Sequence, residues 1–479
     1  MNNRSSGVLM HVSTLPGEYS CGALGEEARR WVDRVRAMGF TWWQVLPFCL
    51  PDEVNSPYKS YSAFSLNPYF IDLPTLLGQG LITQEELDAA RQGTPWLCEF
   101  ERLAKERLPL LAKAAERAGD TPEIRAFLKA HPHTERFCRF MALKAANGGV
   151  EWQRWETDAA DESTYRTWAF TQYECFRQWQ ELRAYANEKG VKIIGDMPIY
   201  VSSDSADVWA NKDLFKLNKK GYPADVAGVP PDYFAEDGQL WGNPLYDWKA
   251  MKDAGYKWWT DRMRFTAELV DGVRIDHFRA FESYYCIKAA ETTAKNGKWK
   301  KGPGMELIGL LKKAAKDTLI IAEDLGDITK EVRALVEESG FPGMRVLQFG
   351  FLSDASNPHL PHNYRENCVA YTGTHDNETL LGYVWSLSAS QKKWLLDYFG
   401  YANLDDWNGC YDTILRQMLM SHASLVIFPI QDLLLYGSDT RLNKPGTAEG
   451  NWAIRFTEGQ FDTINGGKFA SWNGLYGRS

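Results

Sequence analysis

The chain has 479 residues, 44% hydrophobic and 24% charged, an ordinary globular composition long enough for a large barrel with insertions or for two to three domains. Lys plus Arg number 54 against 62 Asp plus Glu, and the net charge of −8 argues against a nucleic-acid or anionic-membrane partner while suiting a neutral substrate. Aromatics reach 13%, with 19 Trp, which fits either a Trp-rich core or the recognition of sugar rings, whose C–H faces stack on flat side chains.

At the N-terminus, MNNRSSGVLMHVS carries one Arg and only a short apolar run, so no signal peptide is expected. The first strand candidate is 7–12. Residues 26–38 place Ala28, Trp31, Val32 and Val35 at helical spacing, and Gly39 ends the helix. The run 41–47 (TWWQVLP) is short, continuous and apolar, as a buried strand is. From about 75 to 175 the pattern is mostly helical. Thr83 and Glu86 spell a capping box, and Thr121-Pro122-Glu123 an N-cap followed by proline. This block is read as a helical insertion after the second strand.

Cys175, Trp179, Leu182 and Ala186 form a further helical stripe, stopped by Gly190 before the third strand, 191–197. Residues 201–250 are rich in Gly, Pro and aromatics without a period. They are read as an irregular loop insertion after the third strand, and long irregular loops in compact domains are commonly functional. Strand candidates 272–276, 318–323, 344–350, 368–372 and 424–430 follow, with helices at 306–316 and 330–338 among them. Eight strands alternating with helices imply parallel pairing. The expected fold class is α/β, a (β/α)8 TIM barrel with a helical insertion subdomain and long rim loops, over a single catalytic domain 1–479. No G-x-G-x-x-G or P-loop appears.

The eight cysteines are scattered, none in C-x-x-C, as in a reducing compartment, and the longest apolar stretches, such as 425–430, are too short to span a bilayer. A cytoplasmic protein is expected. The close histidine pairs, His131/His133 and His359/His362, are read as loop or solvent structure rather than metal ligands.

Reactive groups of a barrel sit at the C-terminal ends of its strands. Those ends carry Asp196, Arg274, Asp276, Glu323, His375 and Asp376. In GVRIDHFRAF, residues 272–281, Arg274 and Asp276 are two apart on a strand and so share a face. Two carboxylates across a sugar suit glycosidic chemistry, one ionised to attack the anomeric carbon and one protonated to release the leaving oxygen. Arg274 favours an ionised Asp276, and the apolar run Leu319–Ala322 before Glu323 favours a raised pKa there. Each carboxylate taken alone could equally cap a helix.

The motifs SGVLMHVSTLPG (6–17), WQVLP (43–47), SPYKSYSAFSLNP (56–68), GDMPIYV (195–201), LWGNPLYDW (240–248), GVRIDHFRAF (272–281), AEDLG (322–326), GTHDNET (373–379) and RLNKPGT (441–447) resemble, in order, those of the 4-α-glucanotransferases known as amylomaltases or disproportionating enzymes, a branch of the α-amylase-like barrel clan. The resemblance implies that Asp276 is the nucleophile, Glu323 the general acid/base and Asp376 a third carboxylate that grips the sugar's 2- and 3-hydroxyls. It places Asp196, Arg274 and His375 around the reacting glucose, Tyr58 and Trp241 at aromatic subsites, and the loop near 228–240 over the cleft. The sequence departs from the family pattern at FCLPDEVNSPY (48–58) and at Ile454.

The expected activity is retaining transfer of α-1,4-glucan segments between maltooligosaccharides, with no cofactor and no metal. A retaining α-glucan hydrolase and a non-catalytic glucan-binding barrel are the alternatives. No oligomeric state is legible.

Overall fold

The structure is a computed structural model that describes residues 4–51, 55–231, 236–401, 407–447 and 449–479, the side chains of 407 and 408 excepted. In chain order its strands are β1 (Ser5–Leu9), β2 (Trp42–Gln44), β3 (Lys192–Met197), β4 (Asp225–Val229), β5 (Gln239–Pro244), β6 (Gly272–Ile275), β7 (Ser283–Lys288), β8 (Lys298–Lys301), β9 (Leu319–Ala322), β10 (Gly343–Val346), β11 (Cys368–Tyr371) and β12 (Leu425–Pro429). Parallel pairing in the order β1-β12-β11-β10-β9-β6-β3-β2 closes a barrel, since β1 pairs with both β12 and β2. Each barrel strand overlaps one of the eight runs expected from the sequence.

Alternation along these strands builds two separate cores. Trp42, Leu46, Ile194, Ile321, Met344, Val369, Tyr371, Leu425 and Ile427 fill the interior. Val8, Trp43, Ile193, Val273, Ile275, Ile320, Ala370 and Val426 face outward under the helices. On β6 the inward positions are Gly272, Arg274 and then Asp276. At Gly272 the fit is tight, because a Cβ would press on the Ile194 and Trp42 side chains at 3.2–3.3 Å. The interior is thus apolar at the level of Gly272 and turns polar at Arg274, one layer below the mouth.

Between β2 and β3 lie helices that include Gln84–Ala89, with its Thr83–Glu86 capping box, Leu108–Ala118, Pro122–Ala130, capped by Thr121, and Pro132–Ala146. The 27-residue helix Glu162–Glu188, capped by Asp161, runs through the boundary expected near 175. Its C-terminal half is a barrel helix. The Trp179 indole donates to Leu269 O (2.8 Å) and packs on Phe48 (centroids 4.1 Å). Fully burying such a ring contributes about 1.5–3 kcal/mol or more.

Three expectations need correction. The stretch 201–250 is not irregular throughout, because it holds the helix Ala206–Ala210 and strands β4 and β5. These join β7 and β8 in an antiparallel sheet of order β5-β4-β7-β8. A bulge between Val226 and Gly228 breaks the alternation that would have marked β4, and its partner β7 lies beyond β6. The run 344–350 is strand only to Val346; Leu347–Gly350 is a helical turn, and a short apolar run does not distinguish the two. The first strand begins at Ser5 and ends at Leu9, and Val12–Thr14 is a 3-10 turn closed by the Thr14 hydroxyl on His11 O (2.7 Å). No helix of the described residues is long and apolar enough to cross a membrane.

Candidate active site

The register of β3 and β6 sets Asp196 opposite Arg274. Arg274 donates through Nη1 to Asp196 Oδ2 (2.6 Å) and through Nη2 to Asp276 Oδ1 (2.9 Å). Its side chain is 4% exposed, that of Asp196 0% and that of Asp276 29%. A guanidinium at this depth needs carboxylate partners, and its planar fork serves two at once. Burial works against its charge, but Asp196 and Asp276 outweigh that and hold its pKa above the usual value. The Tyr58 hydroxyl donates to the same Asp196 Oδ2 (2.7 Å), and burial, then the Asp196 charge, push the phenol pKa well up.

Strands β6 and β9 pair Ile275 with Ala322, so Asp276 and Glu323 follow as neighbours at the end of the ladder. The Glu323 N–H continues it to Ile275 O (3.1 Å). The Glu323 carboxylate accepts backbone N–H groups of His277 at Oε2 (2.6 Å) and of Leu325 at Oε1 (2.8 Å). Burial raises its pKa, opposed by Arg274 and these two N–H groups, in the direction the apolar run before it implies. For Asp276, burial pushes the carboxyl up to about 8. Arg274 pulls it down, while Asp196, Glu323 and Asp376 add to the rise. Arg274 alone therefore does not keep Asp276 ionised in the unliganded protein. The two carboxyls titrate as a pair. A proton on Glu323 removes one of the charges that oppose ionisation of Asp276.

Asp376 reaches the same mouth from the loop after β11. Asn443 donates to its Oδ1 (2.6 Å), His375 Nε2 lies 3.3 Å from its Oδ2, and Arg441 donates to its carbonyl (2.6 Å). The His375 ring stacks on Tyr58 (5.2 Å, 13°), and Trp452 packs on both at 5.8 Å. Burial lowers the His375 pKa, so its imidazole is neutral near pH 7. Asp196, Arg274, Asp276, Tyr58, His375 and Asp376 thus form one connected network. Asn443, Arg441 and Trp452 belong to it without having been singled out. Asn443 and Arg441 sit in the motif RLNKPGT, where polar residues flank the buried Leu442, a faint signal of an inward-facing loop.

Trp241 stands apart from that network. It lies on β5, half-buried, with Tyr200 at 6.2 Å and the His277 ring nearly perpendicular to it at 4.9 Å (86°). Neither Tyr58 nor Trp241 is fully buried. Residues 232–235 of the loop near 228–240, and 52–54 of the stretch 48–58, lie outside the described residues. Among the described residues no group of three or more His, Cys, Asp or Glu could hold a metal ion. His131 and His133 instead meet Glu268 (2.9 Å) and Asp261 (3.1 Å).

A family model described as 4-alpha-glucanotransferase matches residues 10–460. The 4-alpha-glucanotransferase of Clostridium butyricum is 40% identical over 488 residues, covering 98% of this chain and 100% of its own length. That of Thermus thermophilus is 40% identical over 498 residues, 97% of each. Among solved structures, amylomaltase from Streptococcus agalactiae in complex with acarbose matches with a TM-score of 0.94 at 36% identity, over 99% of this chain and 100% of that one.

Proposed function

Because the chain belongs to the 4-alpha-glucanotransferase family, we propose that Asp276, Glu323 and Asp376 carry out retaining transfer between α-1,4-linked glucans at the mouth of its barrel. The observation that carries this reading is the pair of neighbouring strand ends on which Asp276 bonds to Arg274 and Glu323 is buried against two N–H groups. In the first step an Asp276 oxygen attacks C1 of the donor sugar. The glycosidic oxygen leaves with the proton of Glu323, and a glycosyl ester on Asp276 remains. In the second step Glu323 takes the proton of an acceptor 4-hydroxyl, whose oxygen displaces Asp276 from C1. Asp376, held by Asn443, accepts hydrogen bonds from the 2- and 3-hydroxyls of the transferred glucose. Asp196, Tyr58, Arg274 and His375 wall that sugar. The indole of Trp241 offers a flat face to a neighbouring one.

The substrates are maltooligosaccharides, a class consistent with the acarbose bound by the Streptococcus agalactiae amylomaltase. Incubation with maltotriose is expected to give longer oligomers plus glucose; glucose and maltose alone would mean hydrolysis. The roles are tested with an α-glucosyl fluoride, whose leaving group needs no proton. The Glu323→Gln variant is expected to lose transfer from natural glucans by about 10²–10⁴-fold or more, yet to hold a glucosyl adduct visible by intact-mass spectrometry. Asp276→Asn is expected to show none. The reverse pattern, or near-native transfer by either variant, would reassign the two residues.

A further inference from the structure

We infer that Cys21 and Cys98 form a thiol oxidation site, which a peroxide converts to a reversible disulfide tying the loop after β1 to the helical insertion.

Three observations carry it. First, both thiols are free, and that of Cys98 donates to Cys21 Sγ across 4.0 Å. The backbone beside them is already clamped. Glu99 N–H donates to Ser20 O (3.0 Å), and the Ser20 hydroxyl donates to Glu99 Oε2 (2.6 Å). Ser20 itself stands in the left-handed region (φ 64°), which a serine keeps only where its surroundings impose it. With the two chains held in register, rotation about the Cα–Cβ bonds closes the remaining gap of about 2 Å to a sulfur–sulfur bond. Second, two buried guanidiniums act on Cys21 without a carboxylate to neutralise them. Arg107 donates to the carbonyls of Tyr69 (3.1 Å) and Tyr19, and Arg455 to those of Leu15 and Gly17 and to the Gln92 amide oxygen. The hydrogen bond from Cys98 lowers the Cys21 pKa, and Arg455 and Arg107 add to this against burial, whereas burial and then Cys21 push the Cys98 thiol up. Such an electropositive setting marks a reactive thiol rather than an inert buried one. Third, Ser20 and Arg107 line a cavity of about 380 Å³ whose far side is formed by the exposed Glu106 and Lys113. A molecule the size of hydrogen peroxide is thereby brought to within one residue of Cys21.

The asymmetry of the pair sets the order of events. Cys21, as thiolate, attacks one oxygen of hydrogen peroxide. The O–O bond breaks, the other oxygen takes up a proton and leaves as water, and Cys21 becomes a sulfenic acid. Cys98 Sγ then attacks Cys21 Sγ, the S–O bond breaks, and the hydroxyl leaves as water with the Cys98 proton. Two thiols and one peroxide give one disulfide and two waters, and a dithiol reductant reverses the bond by exchange. The two residues are 77 apart in the chain, so the link constrains a long loop that contains β2. Cys98 N–H also donates to Ala453 O (2.7 Å), beside Trp452, so the link fastens that segment as well.

The test uses the unaltered protein with a small excess of hydrogen peroxide. Intact mass is read first, and the remaining thiols are then capped for a peptide map without reductant. The expected result is a loss of about 2 Da and one linked pair of peptides carrying Cys21 and Cys98. The melting temperature is expected to rise by about 2–4 °C, as a long closed loop implies. Dithiothreitol should restore both mass and melting temperature. In Cys98→Val no second thiol is present, so Cys21 is expected to take up two oxygens, about 32 Da. In Cys21→Ala, Cys98 is expected to stay reduced. The map of the unaltered protein decides the matter even if a variant does not fold. Cys21 and Cys98 both left reduced, oxygen collected on Cys21 in place of the link, or other cysteines linked in their stead would overturn the inference. A linked protein whose melting temperature does not rise would overturn the tie between loop and insertion.

Discussion

The side-chain amide of Asn443 donates to Oδ1 of Asp376 across 2.6 Å, bridging the loops that follow β11 and β12. The amide fixes the orientation of a carboxylate whose side chain is 41% exposed. Asn443→Asp would set a like charge against it and remove its donor. The expected result is a fall in kcat of about 10²-fold, the scale of a catalytic group displaced by about an ångström. Thermal stability is expected to change little. Kinetics with maltotriose and a melting curve check both points.

Burial, with the charges of Asp196, Glu323 and Asp376, raises the Asp276 carboxyl well above the ordinary aspartate range in the folded protein. A carboxyl with a raised folded pKa contributes stability that is full below its unfolded value, about 4, and is lost as pH rises through the raised folded value. Asp276→Asn removes this dependence. The variant is expected to be inactive but more stable than the parent at pH 8, by about 1–2 kcal/mol after the lost Arg274 contact is set against the gain. The gap should close toward pH 4. Urea unfolding of both proteins across that range measures it, and a parent that is more stable at pH 8 would contradict the placement of this charge.

His131 faces two acceptors, Phe127 O at Nδ1 (2.9 Å) and Glu268 Oε2 at Nε2 (2.9 Å). Both bonds form only when both nitrogens carry protons. Burial works against that charge, but Glu268 and the carbonyl outweigh it and raise the pKa above 6.5. This contact between the helical insertion and the helix Lys257–Leu269 is therefore full below about pH 6 and weakens as pH rises through the raised pKa. Glu268 is 53% exposed, so the effect is expected to stay below about 1 kcal/mol. His131→Phe should flatten that part of the stability–pH curve without changing kcat.

Retention has a direct signature. With a donor of α configuration, the new glycosidic linkage of the transfer product is expected to be α, read from its anomeric proton by NMR. In a complex with an unreactive glucan analogue, the carboxyls of Asp276 and Glu323 are expected about 5–5.5 Å apart. A β product, or a separation of about 9 Å, would mean inversion.

The barrel and its carboxylates were legible because their signals are local. Val273 and Ile275 alternate with Arg274 and Asp276, and a period of two dictates which pair faces inward. Other features depend on partners distant in the chain. Strand β4 pairs with β7 across the whole of β6, and the bulge in its nearer pairing with β5 breaks the alternation that would announce it. Asn443 is one polar residue in a loop until Asp376 is set beside it. The high pKa of Asp276 escaped for a related reason: the adjacent Arg274 is visible in the sequence, whereas burial and three further carboxylates are assembled only by folding.

The small sheet gives the two halves of the cleft different foundations. The groups proposed to surround the transferred glucose spring from ends of the closed barrel and the loops just beyond them, locked together through Arg274 and Asp196. Trp241 rides on β5, the outer strand of a sheet made from excursions after β3 and β6. Under the proposed roles, a library randomising the solvent-facing positions of β5 is expected to vary the sugar bound beside Trp241 while sparing the chemistry. Under those roles, binding of the neighbouring sugar and fidelity for glucose at the reacting position are expected to be separable traits.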